Sequence, residues 1–190
     1  MSVLNMMNTK YFIVPNPQTG QPGLQVNPDA LGHAWFVKGI RYEKDAAAVM
    51  KAMDQFSPAD TAIVEAESKK DIPFEPVADS TASIRLIENK NDYILYESSA
   101  AANQYAVFSE VYYPRGWKAF IDGKEVPILK TNYALRGLPV PAGKHKIELK
   151  FEPRSYELGN SITMYASLLA FLLLFGSLFM EWRSSRKTQV

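Results

Sequence analysis

Lys144–Phe151, KHKIELKF, decides the fold class. Successive side chains of an extended strand point to opposite faces, so His145, Ile147, Leu149 and Phe151 share one face. Lys146, Glu148 and Lys150 share the other. One apolar and one charged face mean a strand with one side on a core and one in water, the habit of antiparallel sheets.

The same period of two runs upstream. Trp117–Ile121 and Lys124–Leu129 flank Asp122-Gly123, a pair that favours the positive φ angles of a type I′ hairpin turn. Tyr105–Tyr113 (YAVFSEVYY) is a long β-rich run ended by Pro114-Arg115-Gly116. Ser83–Glu88 and Tyr93–Ser98 are joined by a turn at Asn89–Asp92. Nearer the N-terminus, Lys10–Val14, Ala34–Ile40 and Ala62–Ala66 read as strands, and the Pro-, Gly- and Asn-rich stretch Asn16–Asp29 as a loop. Asp45–Gln55 has helical spacing of Val49, Met50 and Met53, with Lys44 or Asp45 as its cap and Ser57-Pro58 as its stop. The whole predicts a mostly β (α+β) protein, an antiparallel β-sandwich or jelly-roll-like domain with one short helix. The charged connection Lys69–Ser80 marks an expected boundary between an α+β portion, 1–79, and a β-sandwich portion, 80–158.

Past the strands the chemistry changes. Ile162–Met180, ITMYASLLAFLLLFGSLFM, contains no charged residue. As a helix it is about 28 Å long, near the hydrocarbon thickness of a bilayer. A soluble helix of that length shows a polar face, and this one has none. Asn160 and Ser161 are placed to cap it, with Tyr165 and Trp182 at headgroup depth. A transmembrane helix is therefore expected over 159–182, with a basic tail, 183–190, on the cytoplasmic side. Arg183, Arg186 and Lys187 outnumber Lys150 and Arg154 before the span, a small bias toward that orientation. The N-terminal MSVLNMMNTK is no secretory signal. The expectation is thus the end of a larger polytopic protein or a cytosolic tail-anchored one.

The remaining composition excludes more than it proposes. With 21 basic and 20 acidic residues, and no basic cluster among aromatics, nucleic acid is not an expected partner. Cysteine is absent, which removes disulfides, thiolate chemistry and Cys-ligated zinc. The two histidines, His33 and His145, show no metal-ligand spacing, and His145 continues a strand's apolar face, as a structural histidine would. Neither a phosphate loop nor a nucleophile elbow is present, so no cofactor, metal or catalytic residue is expected. Glu110, Asp122 and Glu125 are carboxylates in neighbouring strands, but the turn accounts for Asp122 and a wet strand face for Glu125.

The densest group of special residues lies in Glu110–Gly143: Tyr112, Tyr113, Trp117 and Tyr133 beside Arg115, Asn132 and Arg136. Aromatic platforms with amide and guanidinium donors suit sugars, whose ring faces are apolar and whose rims hydrogen-bond. Tyr112, Tyr113, Trp117, Asn132, Tyr133 and Arg136 are the candidate glycan contacts. The bland alternative is that the rings plug a small core and the polar groups cap its loops.

Phe108–Pro153 resembles the C-terminal region of YfhO-type bacterial membrane proteins. The resemblance rests on Ser109-Glu110, Tyr113-Pro114, Gly116-Trp117, Ile121-Asp122-Gly123, Asn132-Tyr133, Arg136-Gly137, Pro141–His145 and Phe151-Glu152-Pro153 before an apolar helix. Leu4–Val14 and Gly32–Val37 are similar to that family too. It implies a cell-envelope, GT-C-like glycosyltransferase whose catalytic carboxylates lie between early membrane helices, a core that is not in this sequence. By that resemblance the β domain is extracytoplasmic on the bacterial inner membrane, non-catalytic alone, and partnered by the bilayer, membrane helices and an envelope glycan. A structural or assembly module of a membrane complex, with no ligand of its own, is the alternative.

Overall fold

The protein is described here by a computed structural model covering residues 1–18 and 20–187. In chain order its elements are α1 (Ser2–Met6), β1 (Tyr11–Pro15), β2 (Pro22–Val26), β3 (Ala34–Val37), β4 (Gly39–Glu43), α2 (Ala46–Ala52) and β5 (Thr61–Glu65). They continue with β6 (Ser83–Asn89), β7 (Tyr93–Ala100), β8 (Gln104–Val111), β9 (Trp117–Ile121), β10 (Lys124–Val126), β11 (Leu129–Thr131), β12 (Leu135–Val140), β13 (Gly143–Phe151) and α3 (Arg154–Lys187). Short 3-10 turns cover Met53–Gln55 and Ala66–Asp71. The fold is mostly β, as the alternating pattern predicts, and falls into two units, Met1–Phe151 and Glu152–Val190.

The quoted strand is β13, paired antiparallel with β7 on one side and β9 on the other. It lies at the middle of a five-stranded sheet ordered β10-β9-β13-β7-β6. A six-stranded sheet follows the order β3-β8-β12-β11-β5-β4. Its two margins, β3 and β4, are consecutive stretches of chain separated by Lys38 alone, so the sheet curls until its edges meet there. The single strand predicted over 34–40 is therefore two. Lys38 and Gly39 both donate their backbone N–H to Asp60 O, which holds the bend.

Burial patterns follow from this closure. Inside the curl, Trp35, Val37, Ala62, Val64, Tyr105, Val107, Leu129 and Leu135 form one core, plugged by Met6 of α1. On the outer face of β8 and β12, Ala106, Phe108, Leu138 and Val140 meet Ile94, Tyr96, Ala119, Ile121, Ile147 and Leu149 of the five-stranded sheet. Tyr96 and Phe108 meet edge to face between the sheets, centroids 4.9 Å apart. Because β12 is covered on both sides, every one of its residues is buried. A period of two would not have revealed it.

The β4–β5 pair is parallel, the exception among antiparallel ladders. Parallel neighbours need a crossover, and α2 supplies it. Asp45 caps this helix, accepting the Ala48 N–H at 2.8 Å, and Val49 and Ala52 pack on the outward-facing Ile63. The stretch Asn16–Asp29, expected to be loop, contains β2, which pairs with β1 as an isolated two-stranded ribbon. Strand β2 opens on Pro22-Gly23, a pair typical of turns, which masks the alternation of Leu24, Gln25 and Val26.

Inside the curl the backbone at Gly137 approaches Tyr105 and Thr131, whose hydroxyls are hydrogen-bonded at 2.8 Å. A Cβ on Gly137 would overlap both side chains. Gly137→Ala should cost about 2 kcal/mol or more, as overpacking does in rigid cores. Thermal melting of the full chain in detergent micelles, followed by near-UV circular dichroism, should show a lowered Tm. Gly39→Ala, whose added Cβ meets nothing within 4 Å, should leave it unchanged.

Candidate functional site

Within α3, Leu158–Met180 is a stretch of 23 residues with mean hydropathy 2.1 and none of it buried. At 1.5 Å per residue it is about 34 Å long, enough to cross a bilayer. Its Phe, Leu and Met side chains are all more than half exposed. In water that surface would be strongly unfavourable; in lipid it is the matching solvent.

In the β unit, a pleat irregularity builds the aromatic site. Leu135 pairs with Val111 but Arg136 with Phe108, so Ser109 and Glu110 form a bulge in β8. Bulges re-aim side chains. Ser109 Oγ lies 2.6 Å from Gly32 O and 2.9 Å from Met6 O, which ties the bulge to the N-terminal segment. Arg136, only 4% exposed, donates from Nε to Val111 O at 3.0 Å. Its guanidinium carbon lies 4.2 Å from the centre of the Trp117 ring. Burial lowers its pKa from the ordinary guanidinium value, and the Glu110 carboxylate opposes this without reversing it. Arg136 Nη1 is buried without a protein partner, as is Tyr96 Oη.

Trp117 opens β9 after the turn at Gly116, whose φ is +103°. Phe151 packs at an angle against it, ring centres 5.4 Å apart. Trp117, Tyr112 and Tyr113 line a cleft of about 210 Å³, together with Pro114, Pro127, Ile128, Lys118 and Glu125. Tyr112 is held there by its N–H donating to Ala134 O at 2.7 Å.

Of the six residues singled out in the sequence, the structure brings together Tyr112, Tyr113 and Trp117, with Arg136 stacked on Trp117. Asn132 and Tyr133 are placed otherwise. They form the β11–β12 turn with φ of +48° and +69°. Asn132 is wholly buried; its Oδ1 accepts the Ile63 N–H and its own N–H donates to Ile63 O, both at 2.8 Å. It stitches the turn to β5. Tyr133 is exposed beneath Lys130 Nζ, 4.9 Å from its ring centre. The positive φ that Asn favours was the available sign of its turn role.

A second polar cluster went unremarked as a unit. Asp122 and Gly123 adopt φ of +50° and +81° in the expected hairpin turn. Asp122 Oδ2 is 2.6 Å from His145 Nδ1, and its Oδ1 accepts the Lys146 N–H at 2.8 Å. His145 Nε2 faces Ala142 O at 3.2 Å. Acceptors at both ring nitrogens favour the doubly protonated ring. Two segments far apart in sequence, Ile121–Gly123 and Pro141–His145, are thereby clasped together. Among the described residues, no group of three His, Asp or Glu side chains is arranged to hold a metal ion.

The family of bacterial membrane proteins named YfhO matches residues 69–163, half of the chain. The chain belongs to the YfhO family. The match takes in the five-stranded sheet, the bulge, the aromatic cleft, the His145–Asp122 clasp and the start of the apolar span. Family and helix together make this a membrane-associated protein. No curated protein and no solved structure is significantly similar to it.

The clasp has a definite pH dependence. The hydrogen bond that Asp122 accepts from the imidazole, more than the burial that opposes it, raises the His145 pKa; the same bond, with the Lys146 N–H, lowers that of Asp122. The histidine's contribution is full below its unfolded value of about 6.5 and is lost as pH rises through the raised folded value. The aspartate's contribution is present above about 3.9 and is lost as pH falls through its lowered folded value. The clasp is thus strongest between about pH 4 and about 6.5. An NMR titration should place the His145 midpoint above 6.5 or so, and Asp122→Asn should bring it down toward the ordinary histidine value.

Proposed function

We propose that the chain forms an extracytoplasmic β region and a membrane span of a YfhO-type cell-envelope glycosyltransferase. In this reading it is non-catalytic alone and positions a glycan or polymer acceptor in the cleft of Tyr112, Tyr113 and Trp117. One observation carries it: Tyr112, Tyr113 and Trp117 line a 210 Å³ cleft, and the Trp117 ring is stacked by the buried guanidinium of Arg136. A ring already held in place loses little freedom on stacking against a sugar, so its apolar contact is retained as affinity. Lys118 and Glu125 in the cleft lining supply a donor and an acceptor for the sugar's hydroxyls. Among the described residues lining the cleft there is no second carboxylate, which fits holding better than hydrolysis. The orientation belongs to the same proposal: β region outside the inner membrane, Arg183, Arg186 and Lys187 on the cytoplasmic side.

Titration of the full chain in lipid nanodiscs with gluco-, manno- and N-acetylglucosamine oligosaccharides tests this. Saturable binding is expected, with Trp117→Ala weakening it by about 2 kcal/mol, roughly thirtyfold in Kd, as for a buried aromatic anchor. Tyr133→Ala, remote in role, should change little. No binding by any of the three glycan classes, or binding indifferent to Trp117, would sink the acceptor role. A reporter fused after Val190 that is active only outside the cytoplasm would overturn the orientation.

A further inference from the structure

The β1–β2 ribbon presents an apolar face that nothing in the β unit covers. Its register pairs Tyr11 with Val26, Ile13 with Leu24 and Pro15 with Pro22, so all six side chains point to one side. Tyr11 is 59% exposed, Ile13 79%, Leu24 69% and Val26 63%. A two-stranded ribbon is marginal in water without something packed on it. This one is nonetheless held firmly at its base. Asn27, only 7% exposed, donates from Nδ2 to Asn5 Oδ1 at 3.0 Å and to Thr9 O at 2.7 Å, and its N–H donates to Lys10 O. Met6, one residue from Asn5, is buried in the core of the curled sheet. The apolar face is thus a presented surface on an anchored element.

We propose that this face docks into the interfacial layer of the lipid bilayer. Three observations select lipid over another occupant. From Tyr11 to Pro28 there is no charged residue, and bilayers penalise charge above all. The same chain carries a helix able to span a bilayer, so a bilayer is present at high effective concentration. The ends of the ribbon are amphipathic or polar: Lys10 and the Tyr11 hydroxyl at the base, Asn16, Gln18 and Gln21 at the tip. Such groups keep a ribbon lying in the interface, where its unpaired strand edges remain hydrated, and stop it from entering the hydrocarbon. The proposal rests on membrane association and is independent of the glycan reading.

The chain has no cysteine, so single cysteines report cleanly. Ile13→Cys, Leu24→Cys and, as an exposed reference, Lys124→Cys would each carry an environment-sensitive fluorophore, with the full chain in phosphatidylcholine nanodiscs. Labels at 13 and 24 should be blue-shifted relative to 124, quenched by doxyl-labelled lipid, and quenched severalfold less by aqueous iodide. Hydroxyl-radical footprinting of the unsubstituted chain in the same nanodiscs reads the native side chains, and should show Tyr11 and Leu24 protected relative to exposed Tyr113. Labels at 13 and 24 as open to iodide as that at 124, with Tyr11 and Leu24 oxidised freely, would overturn the proposal. Protection from iodide and doxyl lipid alike would overturn it too, and would mean that a protein surface, such as a second copy of the chain, covers the ribbon.

Discussion

The central pair β8–β12 is buried on both faces, and the rest of the β unit depends on it. One face of this pair closes the interior of the curled sheet around Tyr105, Val107 and Leu135. The other supplies Ala106, Phe108, Leu138 and Val140 to the layer shared with the five-stranded sheet. A strand in that position has no wet side on which to place a polar residue. It carries one where hydrogen bonds replace water, as for Gln104, whose Nε2 donates to Val77 O and Ala102 O, and for Arg136, whose Nε donates to Val111 O beside the bulge at Ser109–Glu110.

This constraint links packing to the candidate site. Of the two extra residues in β8, Ser109 reaches back to Met6 and Gly32, and across the ladder the guanidinium of Arg136 is directed against Trp117. Trp117 is therefore oriented from within the sandwich while the cleft it lines opens to solvent. Gly137 follows from the same crowding on the opposite face, since Arg136 and Gly137 are consecutive and point to different cores. The Asp122–His145 clasp holds the next hairpin to the end of β13, beside Ile121 and Ile147 of the shared core.

Much of this was legible in the residues and some was not. Asp122-Gly123 announced its turn because only a few residue types accept positive φ. Asp45 announced a helix start, since its carboxylate can satisfy an N–H that the helix leaves open. The aromatic cluster around Trp117 was visible as composition. Its division was not: Asn132 has the side chain of a ligand contact, but it is wholly buried and its Oδ1 is turned inward to the Ile63 N–H. Strand β2 is hidden because Pro22 and Gly23 imitate a loop, and β3 and β4 look like one strand because Gly39 is the sole sign of a bend in AWFVKGI.

The sequence by itself determined the features that depend on near neighbours: alternating faces, turn chemistry, the helix cap, and a charge-free run long enough for a bilayer. Each is set by backbone sterics or local solvation within a few residues. Only the tertiary structure decided which strands share a wall, that β3 and β4 meet at Lys38, that Arg136 lies buried against Trp117, and that Asp122 meets His145. Those contacts join residues far apart in the chain. Their energy comes from close packing and from polar groups withdrawn together from water, and neither is expressed in any single stretch of sequence.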